Sequence, residues 1–334
     1  MTRMRAVISE RPGGPEVLRV VERAVTEPAA GELLIRVVAA GVNRPDLMQR
    51  AGAMPPADAG DIFGLEAAGE VIAIGAGVGA FQLGDRVMAL LGGGGYATHC
   101  LARADHCLAI PSGMSFSTAA ALPEALFTIW HNLYERGRLA PGESLLIHGG
   151  ASGLGSLAIG LAIASGARVV ATAGGEEKVD ALRRLGVARA IDHQREDFVA
   201  VIREELGEDT IDVVLDTLGG EQLSRNLEVM APEGRHVSLS FFQGAQVSLS
   251  LPVVMRKGLT LTSSTLRPKS AGEKARLAAC VSRHLLPLIT SGRAGPLLYA
   301  SFPLEAAAEA HRVLEENRNI GKVVLLISAT EMDE

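Results

Sequence analysis

The chain has 334 residues, 48% of them hydrophobic and only 4% aromatic, enough to fill about two aliphatic domain cores. Its formal net charge of −6 argues against a nucleic-acid partner, which needs a clustered basic face. Three cysteines cannot pair completely, the N-terminus carries early charges, and no uncharged apolar run reaches membrane-spanning length; these features point to a cytoplasmic protein with no membrane partner.

The first third predicts short strands at Arg5–Ile8, Leu33–Ala39 and Ala67–Ile74, bounded by glycine or proline, with Gly84-Asp85-Arg86-Val87 turning into another. Such a series suggests a partly open barrel. Helical patterns begin at Ser117–Leu122, and Glu124–Gly137 predicts one long amphipathic helix. From Ser144 strands and helices alternate. Strands are predicted at 145–148, 168–172, 190–191, 211–215, 236–239 and 259–263, with helices at 154–165, 176–185, 198–206 and 220–230. That alternation predicts a doubly wound parallel sheet. The tail predicts helices at Ala271–Thr290 and Leu304–Asn317 and a strand at Gly321–Ile327.

The segment Gly149-Gly150-Ala151-Ser152-Gly153-Leu154-Gly155 follows an apolar strand and opens a helix. Glycines there permit a tight turn and close backbone approach to a pyrophosphate, which the helix N-terminus then attracts. The strict G-x-G-x-x-G spacing would need glycine at 150, 152 and 155, and Ser152 breaks it. An enzyme using NADH usually carries an acid at the end of the second strand for the ribose hydroxyl. Here that strand runs into Ala173, Gly174 and Gly175, and Lys178 lies one helical turn further, where it can pair with a 2′-phosphate. NADPH is therefore expected rather than NADH, although Glu176 and Glu177 stand beside Lys178, which can also be an ordinary helix lysine.

Taken together, Pro12-Gly13-Gly14-Pro15-Glu16, Gly41–Arg50, Gly64-Leu65-Glu66-Ala67, Gly84-Asp85, the turn at His148–Gly155, Asp216–Gly220 and Asn317–Lys322 make the chain resemble the medium-chain dehydrogenase/reductases. Among these it is most similar to the zinc-free, zeta-crystallin-like quinone oxidoreductases and their p53-inducible subgroup. The resemblance implies an α/β fold with a Rossmann sheet at 125–265 inserted into a GroES-like β-barrel catalytic domain at 1–124 and 266–334. It implies an active site in the cleft between them and a homodimer formed through the Rossmann edge strand at Leu259–Thr262.

It also implies that no metal is used. Asn43 and Leu65 replace the cysteine and histidine that hold zinc in relatives, and the four-cysteine lobe is absent. His99, Cys100, His106 and Cys107 resemble a metal cluster, but buried cysteines explain them better. Without a Lewis acid, an acceptor that delocalises negative charge itself is expected, a quinone or an enone. The alternatives are an enoyl or 2-alkenal double-bond reductase and a nucleotide-binding protein without turnover.

Asn43 and Asp46 are the candidate catalytic residues: the Asn43 amide can donate to an acceptor oxygen or the cofactor ribose, and Asp46 can hold that network or cap the following helix. Met54 stands where relatives place a substrate-facing tyrosine, and with Asn43 it is the expected substrate contact. The resemblance adds Thr128, His193, Leu218, Gly219, Ser240, Phe241, Asn319 and Gly321 as cofactor contacts, beside Gly150, Ser152, Gly153, Leu154, Gly155, Gly174, Gly175 and Lys178. Thr128 can equally be a plain helix threonine, His193 a turn histidine, and Phe241 with Phe242 core.

Overall fold

The computed structural model describes residues 2–55 and 60–328. The chain divides into two compact units, one of Met1–Phe127, Lys269–Ser282 and Leu298–Glu334, the other of Thr128–Pro268 and Arg283–Leu297.

In chain order the first unit opens with β1 (Arg3–Ser9), β2 (Leu18–Ala24), β3 (Glu32–Val42), α1 (Arg44–Arg50), β4 (Glu66–Ile74), β5 (Arg86–Leu90), β6 (His99–Arg103), β7 (Cys107–Ala109) and α2 (Phe116–Ala120). The chain leaves it along α3 (Pro123–Ile129), and a π-helical turn, Trp130–Arg136, follows. The second unit then builds β8 (Ser144–His148), α4 (Gly153–Ala164), β9 (Arg168–Ala173), α5 (Glu176–Arg184), β10 (Arg189–Asp192), α6 (Phe198–Glu205), β11 (Ile211–Asp216), α7 (Glu221–Val229), β12 (Met230–Ser238), α8 (Leu251–Lys257) and β13 (Thr260–Ser263). The tail adds α9 (Ala271–His284), α10 (Leu286–Thr290), β14 (Leu298–Pro303), α11 (Ala307–Glu315) and β15 (Lys322–Leu326).

The barrel unit is organised on β3, which is buried along most of its length and pairs with β4, β6 and β15. Its sheet runs β14-β15-β3-β4-β5-β7, and Leu33, Ile35, Val37, Val323 and Leu325 belong to one aliphatic core. Gly41 is needed at the end of β3, because a Cβ there would stand 2.1 Å from Glu66 Oε1 and 2.5 Å from the Ala120 carbonyl.

The second unit is a six-stranded, wholly parallel sheet in the order β10-β9-β8-β11-β12-β13. Strand order reverses between β8 and β11, and ligands of such sheets bind outside the carboxyl ends at that point. Helix α4 is buried nearly all round, as its uniformly apolar sequence requires.

The α/β fold expected from the sequence is therefore present, a Rossmann sheet interrupting a barrel, and the structure departs from the expected elements in several places. The helix predicted at Glu124–Gly137 becomes π-helical from Trp130. The one predicted at Ala271–Thr290 breaks at Leu285, where Pro287 removes a donor from the first turn of α10. Residues Arg283–Leu297, expected in the barrel domain, group with the Rossmann unit: the His284 ring stacks on Trp130 at 4.9 Å, and the Arg293 guanidinium donates to the Ala164 carbonyl.

Candidate active site

Two polar constellations stand out, one in each unit. In the barrel, Asn43 ends β3 and leads into α1 in an extended conformation. Its side chain is buried, with Nδ2 donating to Glu66 Oε1 at 2.7 Å and Oδ1 accepting from the Lys322 ammonium. Lys322 also pairs with Glu66 at 2.6 Å, and the Glu124 backbone N–H donates to Glu66 Oε2 at 2.9 Å. A lysine can only donate and an ionised carboxylate can only accept, so these partners fix which way the amide faces. One Nδ2 hydrogen is left without an acceptor among the described residues.

Asp46 is 1% exposed. Its carboxylate accepts from the backbone N–H of Asn43 at 2.9 Å and of Gly64 at 3.2 Å, and from the Tyr96 hydroxyl at 3.2 Å. It therefore caps α1 and ties it to the Gly64 turn, touching Asn43 through the backbone and not through the amide. Burial outweighs those donors and pushes its pKa up to about 7. The Tyr96 hydroxyl meets His311 Nε2 at 3.3 Å, His311 Nδ1 meets Arg50 Nη1 at 3.4 Å, and Arg50 pairs with Glu315. Burial and then the Arg50 charge push His311 down to about 3, so its ring is neutral. Met54 lies half-buried in the turn after α1, and residues 56–59 lie outside the described residues. Asn319 donates to the Gly321 carbonyl at 2.7 Å, and Gly321 has φ +94°, so the two form one turn ahead of Lys322.

In the Rossmann unit the turn after β8 is built as a cradle. A Cβ on Gly155 would stand 2.4 Å from the Gly149 carbonyl oxygen, and one on Gly150 would meet Ala171, Leu182 and Ile159 within 3.1 Å. Gly150 donates to the Thr172 carbonyl at 3.0 Å. Ser152 is the N-cap of α4, its hydroxyl accepting from the Gly155 N–H at 3.0 Å, which leaves its own proton to donate. Gly153 and Leu154 supply first-turn amides, which have no acceptor within the helix and suit a phosphate. The residues present thus fit a dinucleotide pyrophosphate.

At the end of β9, Gly174 packs beside His193: a Cβ on it would meet His193 and Gln194 side-chain atoms at 3.0 Å. Lys178 is half-buried on α5, and burial lowers its pKa. Gly175 donates its N–H to Asp192 Oδ1 at 3.0 Å. The sequence pattern misses that acid because it ends β10, one strand away from the position where an acid is usually sought. Gly175 and Gln194 N–H groups hold the Asp192 carboxyl below its ordinary value.

After β11, Leu218 and Gly219 donate to Asp216 Oδ1 at 2.7 and 3.3 Å, and Gly219, at φ +65°, packs against the Phe241 backbone. Ser240 is half-buried. Phe241 and Phe242 are 60% and 57% exposed, so the core alternative for them does not hold. Thr128 is half-buried on α3, and its carbonyl accepts from Asn132 Nδ2 at 2.9 Å, across the start of the π turn. Among the described residues no three His, Cys, Asp or Glu side chains converge to hold a metal. Cys100 and Cys107 are buried thiols, pushed up to about 12 in Cys100 and further in Cys107.

Residues 29–112 match the alcohol dehydrogenase GroES-like domain, and residues 185–325 match a domain described as zinc-binding dehydrogenase. Over 95% of its length the chain is 35% identical to a phenolphthiocerol/phthiocerol polyketide synthase polypeptide of Mycobacterium tuberculosis, of which it spans only 14%. It is 31% identical to quinone oxidoreductase 1 of Escherichia coli K12, covering 94% of this chain and 97% of that one. Among solved structures, the Escherichia coli quinone oxidoreductase complexed with NADPH superposes with a TM-score of 0.87 at 30% identity, over 97% of this chain and 100% of that one. The CurK enoyl reductase superposes with a TM-score of 0.85 at 27% identity, over 97% and 99%. With both domains matched and the likeness to a whole quinone oxidoreductase running end to end, the chain belongs to the quinone oxidoreductases of the medium-chain dehydrogenase/reductase superfamily.

Proposed function

We propose that the protein is an NADPH-dependent reductase of quinones or similar conjugated carbonyls that works without a metal. The observation that carries this is the cradle at Gly149–Gly155, followed by a strand end with no acid at Ala173 or Gly174 and a half-buried Lys178. Gly153 and Leu154 amides would hold the pyrophosphate, and Lys178 with His193 the 2′-phosphate. The quinone oxidoreductase of Escherichia coli, solved with NADPH, supports the same choice.

Bound there, the reduced nicotinamide supplies the hydride. Asn43, oriented by Lys322 and Glu66, has one amide hydrogen to offer the acceptor oxygen as negative charge grows on it. Steady-state oxidation of NADPH and NADH with 1,4-quinones, 2-alkenals and enoyl thioesters tests this. Quinone turnover no faster than the uncatalysed rate would reject it. The second function, enoyl or 2-alkenal reduction, is favoured by the likeness to CurK enoyl reductase and by Met54, which offers no hydroxyl donor.

We also propose a homodimer through β13, whose outer edge pairs with no strand among the described residues, with Leu261 of β13 and Leu251 and Met255 of α8 exposed. Sedimentation of Leu261→Lys as a monomer would support it, and an unchanged mass would not.

A further inference from the structure

Five side chains form one buried file through the barrel unit, none more than 5% exposed: Asn43 ahead of α1, Asp46 and Arg50 on it, Tyr96 between β5 and β6, and His311 on α11. Arg50 Nη1 meets His311 Nδ1 at 3.4 Å, and His311 Nε2 meets the Tyr96 hydroxyl at 3.3 Å. Tyr96 then reaches Asp46 Oδ2 at 3.2 Å, and the same oxygen takes the Asn43 N–H at 2.9 Å. Arg50 is anchored at the far end, its Nε donating to the Gly13 carbonyl at 3.1 Å and its Nη2 pairing with Glu315.

The chemistry of these groups allows the file one direction. A guanidinium only donates, so His311 Nδ1 carries the lone pair. The ring is neutral, so its single proton sits on Nε2 and is given to the Tyr96 oxygen. Burial pushes the Tyr96 hydroxyl well above its ordinary value, so it keeps its hydrogen, and Asp46 is the acceptor that hydrogen faces. Asp46 meets three donors in all, Tyr96 and the N–H groups of Asn43 and Gly64. They are satisfied together only by the carboxylate: a proton on Asp46 would displace one of them. Tyr96 cannot turn its hydrogen to His311 to make room, because Nε2 already carries one.

We infer that Tyr96 is a positioning residue for Asn43: its hydroxyl, aimed by Arg50 through His311, holds Asp46 as the acceptor that fixes the Asn43 backbone. This rests on the donor role of Asn43 proposed above. Lys322 and Glu66 set which way the Asn43 amide faces, whereas Tyr96 and Asp46 set where the residue stands. The charged groups facing the file are Arg50 of α1, Glu66 of β4, Glu315 of α11 and Lys322 of β15. Burial raises the Asp46 carboxyl, and its three donors and the Lys322 charge lower it, with the balance at about 7.

The test is the pH profile of kcat with a 1,4-quinone at saturating NADPH. The wild-type protein should slow as pH falls through about 7, by roughly fivefold or more, with the KM for NADPH within about twofold. Tyr96→Phe keeps the ring contacts with Phe63 and His311, at 6.4 and 5.9 Å between centroids, and loses only the hydroxyl. It should move the midpoint up by about one pH unit, roughly a tenfold change in the affinity of Asp46 for its proton. Asp46→Asn should be slow at every pH. Nitrogen-15 shifts of labelled histidine should place the His311 proton on Nε2, its resonance identified by loss in His311→Gln. A flat wild-type profile, a midpoint unmoved in Tyr96→Phe, or a proton on His311 Nδ1 overturns the inference and leaves the donor role of Asn43 standing. If Tyr96→Phe does not fold, the wild-type profile and the His311 shift decide. Asn43→Ala as fast as the wild type overturns the donor role, and the inference with it.

Discussion

The Lys322 ammonium donates to the side-chain carbonyl of Asn43, and both lean on the same carboxylate, Glu66. An amide has nearly identical ends in shape, so its direction is decided by its partners. Without the ammonium the amide could turn and present its oxygen where a donor is needed. We therefore expect Lys322→Met to lower kcat roughly tenfold or more with the KM for NADPH little changed, and Lys322→Arg to recover most of the loss. Asn43→Asp, which can still accept from Lys322 but cannot donate, should be as slow as Lys322→Met. Lys322→Met with kcat within twofold of the wild type would dismiss the orienting role.

Lys178→Ala should weaken NADPH by roughly 10-fold or more and leave NADH within about threefold, because only the former carries a 2′-phosphate for the ammonium to meet. Dissociation constants for both nucleotides decide the matter. Equal losses would remove Lys178 from the phosphate site and turn attention to Asp192, the acid that holds the Gly175 turn.

Asp46 and His311 share the Tyr96 hydroxyl and have opposed pH signatures. Folded Asp46 keeps its proton up to about 7, whereas its ordinary value is 3.8. Its contribution to stability is complete at acid pH and is lost as pH rises through that window. Folded His311 stays neutral down to about 3 against an ordinary 6.5, so its contribution is complete near neutrality and is lost as pH falls. The two slopes offset in the wild type. Asp46→Asn should leave a protein that loses stability toward pH 4, and His311→Gln one that loses it toward pH 7, each by a few kcal/mol (about 1.4 per pKa unit). Urea midpoints across that range, parallel in the two variants, would refute the opposition.

Gly155→Ala places a methyl group 2.4 Å from the Gly149 carbonyl, so the turn must open. A loss of about 1–3 kcal/mol in stability is expected, together with failure to bind either nucleotide. Thermal unfolding and a fluorescence titration suffice to check it, and unimpaired binding would mean that the phosphates lie elsewhere.

The Rossmann half is readable in the sequence because its signals are local: a strand, a glycine turn and a helix follow one another within the span 144–164. Strands β2 and β14 escape because they are edge strands with more than half their residues exposed and little apolar pattern. The site in the barrel is only half readable. Asn43 is marked by standing where relatives place a zinc-binding cysteine, but Lys322, its partner, lies 279 residues away, and no pattern within a window joins them. Asp46 carries a local signal for a helix cap, three residues after Asn43, and capping is the part it plays.

The chain changes unit at Phe127/Thr128, Pro268/Lys269, Ser282/Arg283 and Leu297/Leu298. Neither half is therefore a cassette. A recombination that exchanged the nucleotide-binding half with that of a relative would need matched joints at all four places, and a donor sequence cut only at the first two would leave Arg283–Leu297 behind, with His284 and Arg293 facing surfaces they were not selected to fit. Chimeras built with four joints should keep the cofactor preference of the donor, and those built with two should lose stability first at the seam beneath Trp130.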